Sequence, residues 1–112
     1  MEISDAQFKE SVYDYDAGEI RASRPVLVDL FTDWCQNCKS FLPTLEKAAQ
    51  KFEGMIDVVK VNITKSDALT RAMDIQGVPT LLFLRPETKS KQTMVGAASS
   101  ASVEKAITEY LL

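Results

Sequence analysis

The chain has 112 residues, enough for one compact domain spanning 1–112 with a single core. Apolar residues make up 46% and charged residues 26%, the balance of a soluble globular chain. A net charge of −3, without a lysine/arginine block longer than two, speaks against nucleic acid or an anionic membrane surface as partner, and no stretch approaches the roughly 20 apolar residues of a membrane span.

The N-terminus, MEISDAQFKE, allows a very short strand at Met1 to Ile3. It lacks the basic start and apolar middle of a signal peptide, so a cytoplasmic location is expected. Ser4 or Asp5 caps a predicted helix carrying Phe8, Val12 and Tyr15, which ends near Gly18. Arg24-Pro25 breaks the chain. Val26 to Phe31 reads as a strand apolar on both faces except at Asp29, as a central parallel strand would be. From Cys35 to Phe52 the period is helical, with Phe41, Leu42, Leu45, Ala48, Ala49 and Phe52 on one stripe and Gly54 placed to end it. Pro43 lies inside that helix and should bend it. Ile56 to Ile63 is a second β run, and Ser66 or Asp67 opens a short helix through Met73. Thr80 to Arg85 and Lys91 to Val95 are further strands, joined by a hairpin-like turn at Arg85-Pro86-Glu87-Thr88-Lys89. Ser99 caps a last helix with Val103, Ile107, Tyr110 and Leu111 inward. Strands alternating with helices predict an α/β domain on a mostly parallel sheet with an antiparallel edge.

The chain's two cysteines, Cys35 and Cys38, fall where a strand ends and a helix begins. At i and i+3 on a first helical turn, their Cα atoms should be roughly 5 to 6 Å apart, within disulfide range. Cys35 sits at the helix N-terminus, where unpaired N–H groups and the helix dipole favour a negative sulfur. Cys38 is one turn deeper and better shielded. This placement suggests an attacking thiolate at Cys35 and a resolving thiol at Cys38. Three other readings compete. Structural zinc needs four ligands, and the chain has no histidine and no third cysteine. Two inert buried thiols are common, but less expected beside Trp34 at a helix start. A redox scaffold that has lost its cycle also fits the pattern.

Other residues carry two readings each. Asp29 is either a strand-end acid reaching solvent or a carboxylate buried at a cost of several kcal/mol. Lys60, a lone charge in Val58-Val59-Lys60-Val61, either snorkels on a half-exposed face or belongs to a site. Trp34 is a packed aromatic or part of a binding surface, and Ile63 is groove or core. The Val78-Pro79 bond is trans on general grounds, since only about 5–6% of X-Pro bonds are cis.

The segment Val26-Leu27-Val28-Asp29-Leu30-Phe31-Thr32-Asp33-Trp34-Cys35-Gln36-Asn37-Cys38-Lys39 strongly resembles the active-site segment of thioredoxins. The resemblance continues through Pro43, Lys60-Val61-Asn62-Ile63, Gly77-Val78-Pro79-Thr80 and Val95-Gly96-Ala97. It implies a thioredoxin-like fold, a central mixed sheet of four to five strands with helices on both faces. It implies a thiol–disulfide oxidoreductase that reduces protein disulfides, with Cys35 and Cys38 as a redox-active disulfide and no cofactor or metal. Asp29 is then the buried acid exchanging protons with Cys38, and Lys60 its neighbour. Pro79 is cis and faces the cysteines, while Trp34, Gly77, Val78, Gly96 and Ala97 form a mostly apolar groove where a peptide pairs with the Val78 backbone. The implied partners are disulfide-containing proteins and a thioredoxin-reductase-type electron donor, and the expected state is a monomer. The alternatives are an oxidase or isomerase of the same fold, or a binding module without turnover.

The sequence also departs from common thioredoxins. Gln36-Asn37 replaces the usual Gly-Pro between the cysteines and is expected to tune the reduction potential. Phe31 stands where many thioredoxins have a second Trp, and the turn after the third strand lacks the usual Gly.

Overall fold

The computed structural model describes residues 1–112. Strand β1 (Glu2–Ile3) is followed by helix α1 (Asp5–Ser11), opened by a capping box between Ser4 and Gln7. This helix is shorter than the sequence predicts. Phe8 and Val12 are buried as expected, but the chain leaves the helix at Val12, whose carbonyl accepts from the N–H groups of Arg21 and Ala22. Tyr13–Asp14 (β2) and Glu19–Ile20 (β3) form a small antiparallel hairpin instead. The cause is local. The Asp14 carboxylate accepts from the N–H groups of Asp16 and Ala17, offering the backbone an alternative to the helix ladder. Gly18, at φ +67°, therefore serves this turn and does not end the helix. Tyr15 still reaches α1, through a hydrogen bond from its hydroxyl to Asp5 and a ring stacked on Phe8.

The rest follows the predicted order: β4 (Val26–Phe31), α2 (Gln36–Gln50), β5 (Asp57–Asn62), α3 (Asp67–Ala72), β6 (Thr80–Arg85), β7 (Ser90–Val95) and α4 (Ser100–Leu111). Helix α2 is continuous through Pro43, which lies on its exposed side. Ser99 caps α4 by accepting the N–H of Ser102. No helix is long and apolar enough to cross a membrane.

The main sheet has five strands in the order β1-β5-β4-β6-β7. Strands β1, β5 and β4 are parallel, while β6 runs antiparallel to β4, and β7 to β6. The sheet is thus evenly mixed, not mostly parallel. After the connection that carries α3, the chain re-enters the sheet at the end where β5 finished, and β6 runs back.

Each face of the sheet has its own core. One contains Phe8, Val28, Leu30, Leu69, Leu82 and Leu84, beneath α1, α3 and the hairpin. The other contains Leu27, Phe41, Leu45, Leu81, Phe83 and Ile107, beneath α2 and α4. Strand β4 is buried from Val26 to Leu30 and supplies both cores alternately.

Candidate active site

Strand β4 runs its apolar sequence to Phe31, and the chain turns through Thr32-Asp33-Trp34 into α2. Cys35 is the N-cap of that helix, with extended backbone angles of φ −82° and ψ 101°. Its Sγ takes the place of a capping hydroxyl and accepts the Cys38 N–H at 3.0 Å. Cys35 and Cys38 are joined by a disulfide, with Cα atoms 5.2 Å apart, inside the range expected from the spacing.

The two cysteine residues differ less in exposure than their order on the helix suggests. Cys35 is 8% exposed and Cys38 5%. Their asymmetry lies in their surroundings. Cys35 holds the helix-terminal N–H, while Cys38 lines an inner cleft with Asp29. The two cysteines are bonded to each other, and no three His, Cys, Asp or Glu side chains gather as a group that could hold a metal ion.

The turn before Cys35 is clamped to the end of β5. Asn62 Nδ2 donates to Asp33 Oδ1 at 2.7 Å, and the Asp33 N–H donates to Thr64 Oγ1 at 2.9 Å. The Thr64 hydroxyl and N–H both donate to Asn62 Oδ1. The Thr32 carbonyl accepts the Cys35 N–H at 3.3 Å. Sequence reasoning assigned no role to Asp33, Asn62 or Thr64. The available signal was three short polar side chains at or just past the ends of two neighbouring apolar strands.

Asp29 is buried, only 3% exposed, which excludes the strand-end reading. Desolvation pushes its carboxyl up to about 6, against the opposing effect of the Lys60 charge. Lys60 is half-buried and is the register neighbour of Asp29 on β5. Both line a cleft of about 340 Å³ that also reaches Cys38, Thr32, Lys39 and Glu2. An acid pushed up to about 6 that lines the same cleft as the inner thiol has the character of a general acid/base.

On the outer side, the Val78-Pro79 peptide bond is cis and Pro79 is buried. Val78 is half-buried, and neither its N–H nor its C=O is used by another backbone group. The Pro79 carbonyl instead accepts the Gly96 N–H at 2.8 Å. Gly96 has φ +93°, a conformation that side-chain-bearing residues rarely adopt. A Cβ on Gly77 would touch Val95 Cγ1 at 3.8 Å, so Gly77 and Val95 are neighbours, and Val95 itself is 61% exposed. Ala97 is exposed, and Trp34 is 69% exposed, so Trp34 is not a packed core aromatic. Ile63 is buried in the core with Phe8 and Leu69, which decides between its two readings. Gln36 and Asn37 are exposed on the first turn of α2.

A Cys-x-x-Cys disulfide at a helix N-terminus, on a mixed sheet covered by helices on both faces, defines a thiol–disulfide oxidoreductase. The Thioredoxin family profile matches residues 1–109. A thioredoxin of Acidithiobacillus ferridurans is 35% identical over 101 residues, covering 90% of this chain and 93% of the relative. One from Borreliella burgdorferi is 30% identical over 113 residues, covering 98% and 96%. The crystal structure of chloroplastic thioredoxin z superposes with a TM-score of 0.78 at 24% identity, over 97% of this chain and 91% of that one. This chain belongs to the thioredoxin family. Members of the family work through their own disulfide and need no cofactor, and they act with disulfide-containing targets and reductases.

Proposed function

We propose that this thioredoxin-family chain works as a reductant of protein disulfides, with Cys35 attacking and Cys38 resolving. The observation that carries the reading is the Cys38 N–H aimed at Cys35 Sγ at the head of α2. Once the disulfide is reduced, the same donor and the helix dipole favour a thiolate at Cys35. That thiolate attacks one sulfur of a substrate disulfide, forming a mixed disulfide and releasing the other sulfur as a thiolate. The Cys38 thiol then loses its proton to Asp29 and attacks Cys35 Sγ. The Cys35–Cys38 bond re-forms, and the second substrate sulfur leaves as a thiolate that takes a proton from solvent. Substrate gains two electrons and the Cys35–Cys38 pair loses them.

The unused N–H and C=O of Val78 suit pairing with an extended substrate segment. Trp34, Gly77, Gly96 and Ala97 supply apolar surface around it, and Pro79 fixes the turn that presents Val78. Lys60 sets the charge balance of Asp29, and Gln36 and Asn37 set the potential without adding charge. A thioredoxin-reductase-type protein restores the dithiol. The chain acts as a monomer in the cytoplasm, without nucleic acid or membrane as partner.

Insulin-disulfide reduction and the reduction potential against glutathione test this directly. Cys35→Ser is expected to abolish turnover, and the wild-type potential to lie near about −270 mV. Turnover by Cys35→Ser at the wild-type rate, or a potential above about −180 mV, would replace the reductant reading with a cysteine-independent activity or an oxidising one.

A further inference from the structure

Thr80 opens β6 and is buried, only 1% exposed. Its backbone is held from both sides, paired with Leu30 of β4 and with Val95 of β7. A β-branched side chain on a fixed backbone has few rotamers, so the hydroxyl is fixed as well. That hydroxyl reaches back over the turn and donates to the Gly77 carbonyl at 2.5 Å. No backbone N–H donates to this carbonyl, so Thr80 is its one donor in the protein. Gly77 has no side chain of its own, and a Cβ built on it would meet only Val95 Cγ1, at 3.8 Å, so packing does little to hold the peptide plane that follows. The cis bond is the next one, Val78-Pro79, and the Gly77-Val78 peptide is trans. In a trans peptide the C=O and the N–H point in opposite directions. With its carbonyl held against buried Thr80, this peptide turns the Val78 N–H away from Thr80, and that N–H has no partner within the chain's backbone.

We propose that Thr80 is a positioning residue for substrate: its hydroxyl locks the Gly77-Val78 peptide so that the Val78 N–H stands ready for a carbonyl of an extended substrate segment, which favours disulfides carried on a peptide chain over small free disulfides. The inference rests on the Val78 pairing proposed above. A donor oriented before binding does not have to be ordered during binding, and the saved cost appears as affinity. Thr80 makes no hydrogen bond to either sulfur, so its effect is confined to recognition. A disulfide without a peptide backbone offers Val78 no carbonyl and gains nothing from the lock. The bond also runs between two parts of one turn, from the strand that anchors it to the residue before Val78. The lock therefore travels with β6 and does not depend on the cysteine turn or on whether the Cys35–Cys38 pair is oxidised or reduced.

The test compares two disulfides. Insulin carries its disulfides on peptide chains, and 5,5′-dithiobis(2-nitrobenzoate) has no peptide backbone. Insulin reduction is measured with dithiothreitol restoring the dithiol, and the aromatic disulfide is mixed with protein reduced beforehand. Thr80→Val keeps the shape and the strand preference and removes the hydroxyl. It is expected to raise KM for insulin roughly three- to tenfold, the worth of one hydrogen bond, while kcat and the rate with the aromatic disulfide stay within about twofold. Thr80→Ala, which cannot crowd the turn, should show the same split. Thr80→Ser restores the hydroxyl and should restore the insulin KM. An unchanged insulin KM in Thr80→Val and Thr80→Ala, equal losses on both disulfides, or a Thr80→Ser variant as impaired as Thr80→Val would overturn the proposal. Val78→Pro, which deletes the N–H itself, separates the proposal from the reading beneath it. An unchanged insulin KM in that variant would take down the Val78 pairing and the role of Thr80 with it. A raised KM there, beside Thr80 variants that bind insulin normally, would keep the pairing and overturn the role of Thr80 alone.

Discussion

Asp29 shows how one side chain can set stability against chemistry. Below pH 3.8 its carboxyl is neutral in the folded and unfolded chain alike; near pH 5 the unfolded chain has lost the proton and the folded one keeps it; above about 6 the folded protein carries a buried charge. The folded state therefore binds more protons across that window, and stability falls as pH rises through it. The size is about 3 kcal/mol for the whole transition. Asp29→Asn removes the charge. Urea unfolding of the oxidised protein should find the variant more stable than wild type by up to about 3 kcal/mol at pH 7, with the gap closing at pH 4. A gap of equal size at both pH values would mean that the carboxylate is not desolvated. Lys60→Met removes the opposing cation and should move the same transition to higher pH. The sequence made Asp29 visible because a charge in a run of Val and Leu stands out. It left Thr32 invisible, because a threonine past a strand end looks like any loop residue. Only its burial, with the hydroxyl left without a partner, separates the two cases.

At the level of elements, the head of α2 is held more firmly than its own cap requires. The cap fixes one N–H, and Asn62, Asp33 and Thr64 tie the preceding turn to β5. Asn62→Ala deletes a donor to Asp33 and the acceptor of two Thr64 groups. A loss of about 1–3 kcal/mol is expected, together with faster hydrogen exchange of the Asp33 and Thr64 amides than of Leu30 in the neighbouring strand. Uniform acceleration across all three would make the effect global. The helices and strands themselves were largely legible, because their apolar periods are long and their caps are local. Ser4, Ser99 and the strand from Val26 to Phe31 fall where the pattern places them. The end of α1 was not legible. Val12 and Tyr15 keep helical spacing, and the Asp14 side chain that ends the helix acts through hydrogen bonds that no periodicity records. The direction of β6 was hidden for a related reason: the connection between Asn62 and Thr80 is long enough to return to either end of the sheet, and no periodicity records which.

For the whole molecule, the reversal of β6 decides where the site can be. Because β6 runs against β4, its first residue Thr80 lies opposite Leu30, near the end of β4, and Val95 at the end of β7 lies opposite Thr80. The cysteine turn, the Val78-Pro79 turn and Gly96 are thereby gathered at one end of the sheet. A parallel β6 would have sent Pro79 to the opposite end of the sheet from the cysteines. The same arithmetic empties the other end. The turn from Pro86 to Lys89 lies six residues of β6 away from the site, with Glu87, Thr88 and Lys89 exposed. This gives the protein an attachment point decoupled from its chemistry, useful for fusion, tagging or immobilisation. A ten-residue Gly/Ser insertion after Thr88 lengthens the connection by less than two doublings, a closure cost of about 1 kcal/mol. Its insulin-reducing rate should stay within about twofold of wild type while its unfolding midpoint drops by a few degrees. A rate loss beyond tenfold with the fold intact would show that the two ends of the sheet are coupled after all.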